Sequence, residues 1–241
     1  MNIPINTIEE AVFMAKIAEQ AERYEDMLIF LQPLMRKSEE LNAEERRLIS
    51  IPFKNLSGNK RTALRALTAI EENSKYEKYH KRAKVYKVKI EGELKEICKD
   101  AISVIDNTLL KNASSAEAKA FYLKMKADHY RYIGEVCTGK ELEDVAQKAE
   151  ESYETAKKAA DTFPPNDPIR TGVALNYSVF LYDIRKKPED ACRMAKAALD
   201  EAVSGVQELN GDEYNDGTAI LQMLRDNFLL WTSELEEQEE K

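Results

Sequence analysis

The sequence has few residues that break helices. Glycine and proline number 8 and 7 among 241 residues, which is about half of their usual combined share of about 12%. Charged residues make up 33% of the chain and hydrophobic residues 43%. This composition excludes collagen-like, disulfide-rich and disordered chains, and it predicts an all-α protein.

Cysteine and long apolar runs are also scarce. Cys98, Cys137 and Cys192 are odd in number and widely spaced, a pattern that favours a reducing compartment over secretion. No apolar stretch approaches the 18 residues that a membrane-spanning helix needs, and the first ten residues lack the pattern of a signal peptide. We therefore expect a soluble cytoplasmic protein with no membrane partner.

The signatures of common catalytic and metal sites are absent. The sequence has no glycine-rich phosphate loop and no nucleophile motif, and its two histidines, His80 and His129, are too few for a zinc site. Helical spacing places His129 among Tyr122, Met125 and Ile133, which predicts a core position. We expect neither an enzyme nor a bound cofactor or metal.

An excess of basic residues is missing as well. The chain has 36 Lys and Arg against 44 Asp and Glu, for a net charge of −8, which argues against general nucleic-acid binding. Five of the last nine residues are Glu. This composition predicts an acidic disordered tail over 234–241 after a single helical domain over 1–233.

Turn and capping residues divide the domain into helices. Asn42 followed by Glu45 has the spacing of a capping box, and Pro33 should kink the second helix or move its boundary. Short connections make neighbouring helices antiparallel. The predicted helices cover about 7–21, 23–38, 43–73, 77–110, 115–137, 141–162, 167–185, 189–206 and 213–233.

Two of these helices carry polar residues at helical spacing, clear of their apolar stripes. The third helix has Lys54, Arg61 and Arg65, and the fifth has Lys124, Asp128 and Arg131, followed by Tyr132. Residues three, four or seven apart share one face of a helix. The two faces are either ordinary solvated surfaces or parts of a local anion site, and the pattern alone leaves both open.

Asparagines interrupt the apolar faces of two later helices. Asn176 shares a face with Val179 and Phe180, and Asn227 lies among Ile220 and Leu230. An apolar environment costs an unpaired carboxamide about 1–3 kcal/mol, so each Asn needs hydrogen-bonding partners. They are either structural residues of the core or part of a groove that binds the backbone of an extended peptide.

These residues lie in segments through which almost the whole chain resembles the 14-3-3 protein family. The resembling segments are Ala18–Tyr24, Phe53–Gly58, Phe121–Lys126, Tyr130–Tyr132, Pro168–Arg170, Ala174–Phe180, Gln222–Asn227 and Leu230–Ser233. The resemblance implies a cup-shaped dimer of nine antiparallel helices per subunit, each with an amphipathic groove. It implies an adaptor in signal transduction that clamps, masks or bridges phosphorylated client proteins.

The resemblance also assigns site residues by position. The implied phosphate clamp is Lys54, Arg61, Arg131 and Tyr132. Lys124, Asn176 and Asn227 would hold the peptide backbone, with Leu175, Val179, Ile220, Leu230 and Trp231 as the apolar wall and Arg65, Asp128 and Asp183 as neighbouring charges. Ala219, Met223 and Gly217 depart from residues common in the family, so peptide preference is left open.

Dimerisation is implied through the N-terminal helices. Arg23 would pair with Glu93, and Asp26 with Lys89, across an interface that also contains Ile17, Ala21 and Tyr86. A homodimer is implied, with a heterodimer with paralogues as a further option. The alternative function is a phosphate-independent helical-repeat scaffold similar to tetratricopeptide proteins.

Overall fold

All the secondary structure in the described part of the chain is helical, which confirms the all-α prediction. The structure is a computed structural model that describes residues 4–203 and 211–239. The helices are α1 (Ile8–Gln20), α2 (Tyr24–Phe30), α3 (Gln32–Met35), α4 (Ala43–Glu72), a 3-10 helix (Ser74–Tyr79), α5 (His80–Val104), a π-helical turn (Ile105–Leu109), α6 (Leu110–Asn112), α7 (Ala116–Gly134), α8 (Gly139–Ala160), α9 (Pro168–Asp183), α10 (Pro188–Val203) and α11 (Gly211–Glu239).

The helices group into two compact units, Met1–Ser114 and Ser115–Lys241. We call them unit 1, which contains α1 to α6, and unit 2, which contains α7 to α11. The sequence predicted one domain over 1–233, so this division within it is a finding of the structure.

Unit 1 is built around the long helices α4 and α5. The apolar stripe of α4 buries Ile49, Phe53 and Leu56, and α5 buries Ile90 and Leu94. The capping box that the sequence predicts at Asn42 is present: its side chain accepts a hydrogen bond from the Glu45 backbone, and the Glu45 carboxylate accepts one from the Asn42 backbone. It satisfies two backbone donors that α4 itself leaves without a partner.

Two predicted helices of unit 1 are interrupted in the structure. The predicted helix over 23–38 breaks at Leu31, between α2 and α3, and Pro33 lies in the first turn of α3. Proline is tolerated there because first-turn N–H groups have no partner within the helix. The predicted helix over 77–110 begins instead as the 3-10 helix at Ser74, and it passes through the π-helical turn near its end.

The core of unit 2 is centred on aromatic side chains from α8 and α9. The Tyr153 ring stacks on the Tyr177 ring with centroids 5.2 Å apart, and it lies 5.5 Å from the Phe180 ring. Ala146, Ala149, Ala156 and Ala160 of α8 are also buried. Such small side chains let neighbouring helices approach closely, which brings the polar end of Tyr153 next to α7.

Helix α11 extends beyond its predicted end. We expected the last helix to stop at 233 and a disordered tail to follow, whereas α11 runs to Glu239. Glu and Gln are good helix formers, and the Tyr182 hydroxyl donates a hydrogen bond to Glu234. Residues 240 and 241 and the surroundings of Gly217 lie outside what the structure describes. Among the described helices, none has the length and apolar character needed to cross a bilayer.

Candidate functional site

One carboxylate organises the polar face of α7 in unit 2. Asp128 accepts hydrogen bonds from the Tyr153 hydroxyl at 2.5 Å, from the Lys124 ammonium at 3.1 Å and from the Asn176 carboxamide at 2.9 and 2.8 Å. Three helices therefore meet at a single side chain. We call Asp128, Lys124, Arg131, Tyr153 and Asn176 the Asp128 cluster.

Arg131 is held in this cluster from several sides. Its side chain is only 7% exposed, and its Nε donates to the Tyr153 hydroxyl at 3.3 Å. Its Nη1 lies 3.4 Å from a Glu135 carboxylate oxygen, and its Nη2 lies 3.8 Å from Asp128. The guanidinium carbon is 4.7 Å from the centroid of the Tyr132 ring. These contacts hold the planar guanidinium in one orientation.

The electrostatic environment keeps the two central groups charged. Burial raises the pKa of Asp128, but the charges of Lys124 and Arg131 and the hydrogen bonds from Tyr153 and Lys124 together lower it by more, so the pKa of Asp128 lies below the ordinary value. Burial lowers the pKa of Arg131, but Tyr153, Tyr132 and Asp128 raise it, so its pKa lies above the ordinary value. Unit 2 therefore presents a permanently charged guanidinium.

An apolar surface adjoins the cluster on α9 and α11. Gly172 lies beside it: a Cβ atom there would be 3.5 Å from Lys124 Cε and 3.9 Å from Ile220 Cδ1. Val179, Ile220 and Asn227 are half-buried, and Leu230 is exposed. The exposed side chains of Ala219 and Met223 lie on the same face of α11 as Ile220, Asn227 and Leu230.

Not every residue of the predicted apolar wall is accessible. Leu175 and Trp231 are buried in the core of unit 2, and the Trp231 ring stacks on the Tyr182 ring with centroids 4.8 Å apart. Burial of these two large apolar side chains is favourable. They therefore pack beneath the apolar surface and are not part of it. Asp183 is exposed at the end of α9.

In unit 1, the cations predicted for the site lie along α4. Lys54 and Arg65 are exposed, and Arg61 is half-buried. Arg65 donates to the Thr62 hydroxyl at 3.1 Å. The spacing of seven and four residues places all three cations on one face of α4, away from the buried stripe of Ile49 and Phe53.

The residues predicted for the dimer interface are exposed or half-buried in unit 1. Ile17 and Tyr86 are exposed apolar residues on α1 and α5, and Ala21 is exposed at the end of α1. The charged residues have partners within the chain: Arg23 with Asp26 at 2.7 Å, and Glu93 with Lys60 at 2.6 Å and Lys89 at 3.7 Å.

Sequence reasoning missed three contributors to the site: Tyr153, Glu135 and Gly172. The helical spacing of Tyr153 among alanines indicates a core residue, and nothing in the sequence shows that its hydroxyl reaches Asp128. It also missed a cavity of about 450 Å³ between α8, α9 and α10, beside Tyr177 and Met194. None of the predicted site residues lines this cavity. In the described part of the chain, no group of His, Cys, Asp and Glu could hold a metal ion.

Comparison with known proteins identifies the family. The family model described as "14-3-3 protein" matches residues 14–232. The chain belongs to the 14-3-3 family. It is 45% identical over 228 residues to 14-3-3-like protein 2 of Caenorhabditis elegans, covering 94% of this chain and 92% of that protein. It is also 45% identical over 227 residues to 14-3-3 protein beta/alpha-1 of Oncorhynchus mykiss, covering 93% of each.

The similarity extends to plants. The 14-3-3-like protein GF14 iota of Arabidopsis thaliana is 45% identical over 233 residues, covering 95% of this chain and 87% of that protein. Each of these relatives bears the name of a 14-3-3 protein and not that of an enzyme. The family is one of phosphopeptide-binding adaptors, and the matched region of this 14-3-3 family member includes every predicted site residue.

Proposed function

We propose that this 14-3-3 family member binds phosphoserine and phosphothreonine peptides of client proteins and acts as a dimeric adaptor. Lys54, Arg61, Arg131 and Tyr132 bind the phosphate group in this proposal. The observation that carries it is the fixation of Arg131 by Asp128, Tyr153 and Tyr132, because a guanidinium held in one orientation loses little entropy when a phosphate arrives.

The energy of the phosphate contacts sets the expected selectivity. A charge-assisted hydrogen bond contributes about 1.5–3 kcal/mol, and guanidinium groups bind phosphate oxygens in pairs. Three such contacts give about 4–9 kcal/mol before desolvation is subtracted. Phosphorylation then changes client affinity by orders of magnitude, which is what a signalling adaptor requires.

The peptide backbone is bound by the carboxamides and Lys124 in this proposal. The Asn176 amide nitrogen is engaged by Asp128, so its oxygen can accept a hydrogen bond from a peptide N–H. Asn227 and Lys124 also bind the backbone of the extended client peptide in this proposal. Val179, Ile220 and Leu230 contact client side chains, while the exposed Ala219 and Met223 set peptide preference at the same surface.

The proposal is tested with a fluorescent phosphoserine peptide and its unphosphorylated twin. We expect fluorescence anisotropy to show binding of the phosphopeptide at least about 100-fold tighter than binding of the twin, because the phosphate contacts are worth several kcal/mol. Equal affinity for both peptides would contradict the proposal and favour a phosphate-independent helical scaffold.

Lys54 supplies the decisive variant because its side chain is exposed and the fold does not depend on it. Lys54→Glu should weaken phosphopeptide binding at least about tenfold, since it replaces an attraction with a repulsion at the phosphate. Lys148→Glu reverses another exposed lysine at the same net charge and should bind like the wild type. Equal effects of the two variants would show that only the overall charge matters.

A further inference from the structure

A basic segment follows α4 in unit 1 and includes the 3-10 helix and the start of α5. Residues 75–89 contain seven Lys or Arg and a single acidic residue, Glu77, in a chain whose net charge is −8. Lys87 pairs with Glu71 at 3.0 Å and Lys89 with Glu93 at 3.7 Å. Within the described chain the other five cations make no ion pair, so the acidic molecule has a local positive surface here.

The 3-10 helix at the start of this segment places its lysines and its tyrosines in two separate rows. In the 3-10 helix Ser74–Tyr79, residues three apart eclipse each other, so Lys75 lies in line with Lys78, and Tyr76 with Tyr79. The ammonium groups of Lys75 and Lys78 lie 5.7 and 4.8 Å from the centroids of the neighbouring tyrosine rings. A row of cations therefore runs beside a row of exposed aromatic rings.

The same surface continues onto the first turns of α5. At 100° per residue, Lys81, Lys84, Val85 and Val88 fall within about 100° of arc. All four are exposed, Val85 by 70% and Val88 by 60%. We call the tyrosines and lysines of the 3-10 helix, together with this face of α5, the basic patch. Its members are Lys75, Tyr76, Lys78, Tyr79, Lys81, Lys84, Val85 and Val88.

The α5 part of the patch is separate from the proposed dimer interface. Tyr86, Lys89 and Glu93 share another face of α5, centred about 120° around the helix from the patch residues. The core face of α5, which includes Ile90 and Leu94, lies on a third side. A dimer interface centred on Tyr86 would therefore leave Val85 and Val88 exposed, and clustered exposed apolar side chains mark interaction surfaces.

We propose that the basic patch binds the surface of membranes that contain anionic phospholipids. Lysines on a helical surface attract anionic headgroups, each by about fivefold in affinity. Tyrosine rings favour the interface between headgroups and acyl chains, and apolar side chains between the cations enter that boundary. The exposed valines distinguish this partner from single-stranded nucleic acid or an acidic polypeptide, which would need only the cations and the rings.

The acidic body does not prevent this attachment. Charges farther than the Debye length of about 8 Å at physiological ionic strength are largely screened, so the membrane responds mainly to the residues nearest to it. The sequence predicted no membrane partner because no apolar stretch approaches the 18 residues that a membrane-spanning helix needs. Attachment to a membrane surface has no such requirement. The proposal does not rest on phosphopeptide binding.

Vesicle co-sedimentation with the full chain tests the proposal. We expect binding to vesicles of phosphatidylserine and phosphatidylcholine that weakens as salt rises, and much weaker binding to vesicles of phosphatidylcholine alone. The triple variant Lys75→Glu, Lys81→Glu, Lys84→Glu should lose about 100-fold in affinity for the anionic vesicles. The triple variant Lys148→Glu, Lys158→Glu, Lys196→Glu, which reverses exposed lysines of unit 2, has the same net charge and should bind like the wild type.

Two further measurements separate the alternatives. Val85→Ser with Val88→Ser should weaken vesicle binding several-fold at unchanged charge, and both patch variants should bind the phosphopeptide like the wild type. Equal losses in the two lysine triple variants would overturn the proposal. So would wild-type vesicle binding by the valine variant, or tighter binding of an oligothymidylate probe than of vesicles, which would assign the patch to nucleic acid.

Discussion

At the scale of single residues, Asp128 connects the charged and the amide parts of the candidate site. Its two oxygens accept hydrogen bonds from side chains of α7, α8 and α9. The same carboxylate balances the buried charge of Arg131. Replacing Asp128 should therefore affect both the stability of unit 2 and the ligand binding that we propose.

Asp128→Ala should lower the free energy of unfolding by about 3–5 kcal/mol, because it removes one of the two carboxylates beside the buried guanidinium of Arg131 and the acceptor shared by Lys124, Tyr153 and Asn176. Urea denaturation followed by circular dichroism measures this loss. Asp144→Ala, at an exposed position of α8, should change stability by less than about 0.5 kcal/mol. A small loss in Asp128→Ala would mean that Glu135 alone balances Arg131.

His129 should make stability depend on pH. Burial lowers its pKa, and its Nδ1 lies 2.7 Å from the Met125 carbonyl oxygen, with Asp128, Lys124 and Arg131 as the charged neighbours. Below the ordinary histidine pKa of about 6.5, the unfolded chain takes up a proton that the folded chain does not. The free energy of unfolding should therefore fall as pH falls, by up to about 1.4 kcal/mol per pH unit.

The variant His129→Phe removes this titration. Urea denaturation at pH 7.5 and pH 5.5 should give a smaller difference in unfolding free energy for the variant than for the wild type, although the variant loses the hydrogen bond to Met125. An identical difference in both proteins would place the pH dependence elsewhere.

Helical spacing predicted part of the site at this scale. It placed Lys124, Asp128 and Arg131 on one face of α7 and His129 in the core, where the structure has them. It could not predict that the Tyr153 hydroxyl reaches Asp128, because that contact spans 25 residues and depends on how α7 packs on α8. Nor does spacing reveal that Leu175 and Trp231 are buried.

At the scale of helices, boundaries set by local chemistry were predictable, and those set by packing were not. The Asn42 capping box depends on residues three apart, so the sequence alone reveals it. The π-helical turn at Ile105–Leu109 contains two buried apolar residues, Ile105 and Leu109, and no local signal marks it. The contact of Glu234 with Tyr182 likewise extends α11 where composition predicted a tail.

The capping box gives a prediction for α4. Asn42→Ala should lower the free energy of unfolding by about 1 kcal/mol, because it removes the acceptor for the Glu45 backbone N–H. Asn42→Ser keeps an acceptor and should stay within a few tenths of a kcal/mol of the wild type. Equal losses in both variants, measured by thermal denaturation, would show that the cap does not limit the stability of α4.

At the scale of the whole molecule, the exposed apolar side chains of unit 1 predict self-association. Ile17 and Tyr86 should lie in a dimer interface, so the double variant Ile17→Lys, Tyr86→Lys should shift the mass from twice 27.5 kDa to 27.5 kDa. Size-exclusion chromatography with light scattering measures it. Val85→Lys with Val88→Lys adds the same charge on another face of α5 and should remain dimeric. A monomeric wild type would contradict the prediction.

The Asp128 cluster has a consequence for how this molecule can change. Because one carboxylate serves Lys124, Arg131, Tyr153 and Asn176, substitutions at these positions are coupled and their effects do not add. The effect of replacing one member of the cluster therefore depends on which residues occupy the other positions. Ala219 and Met223 lie outside this epistatic group, so we expect substitutions there to change ligand preference without disturbing the cluster.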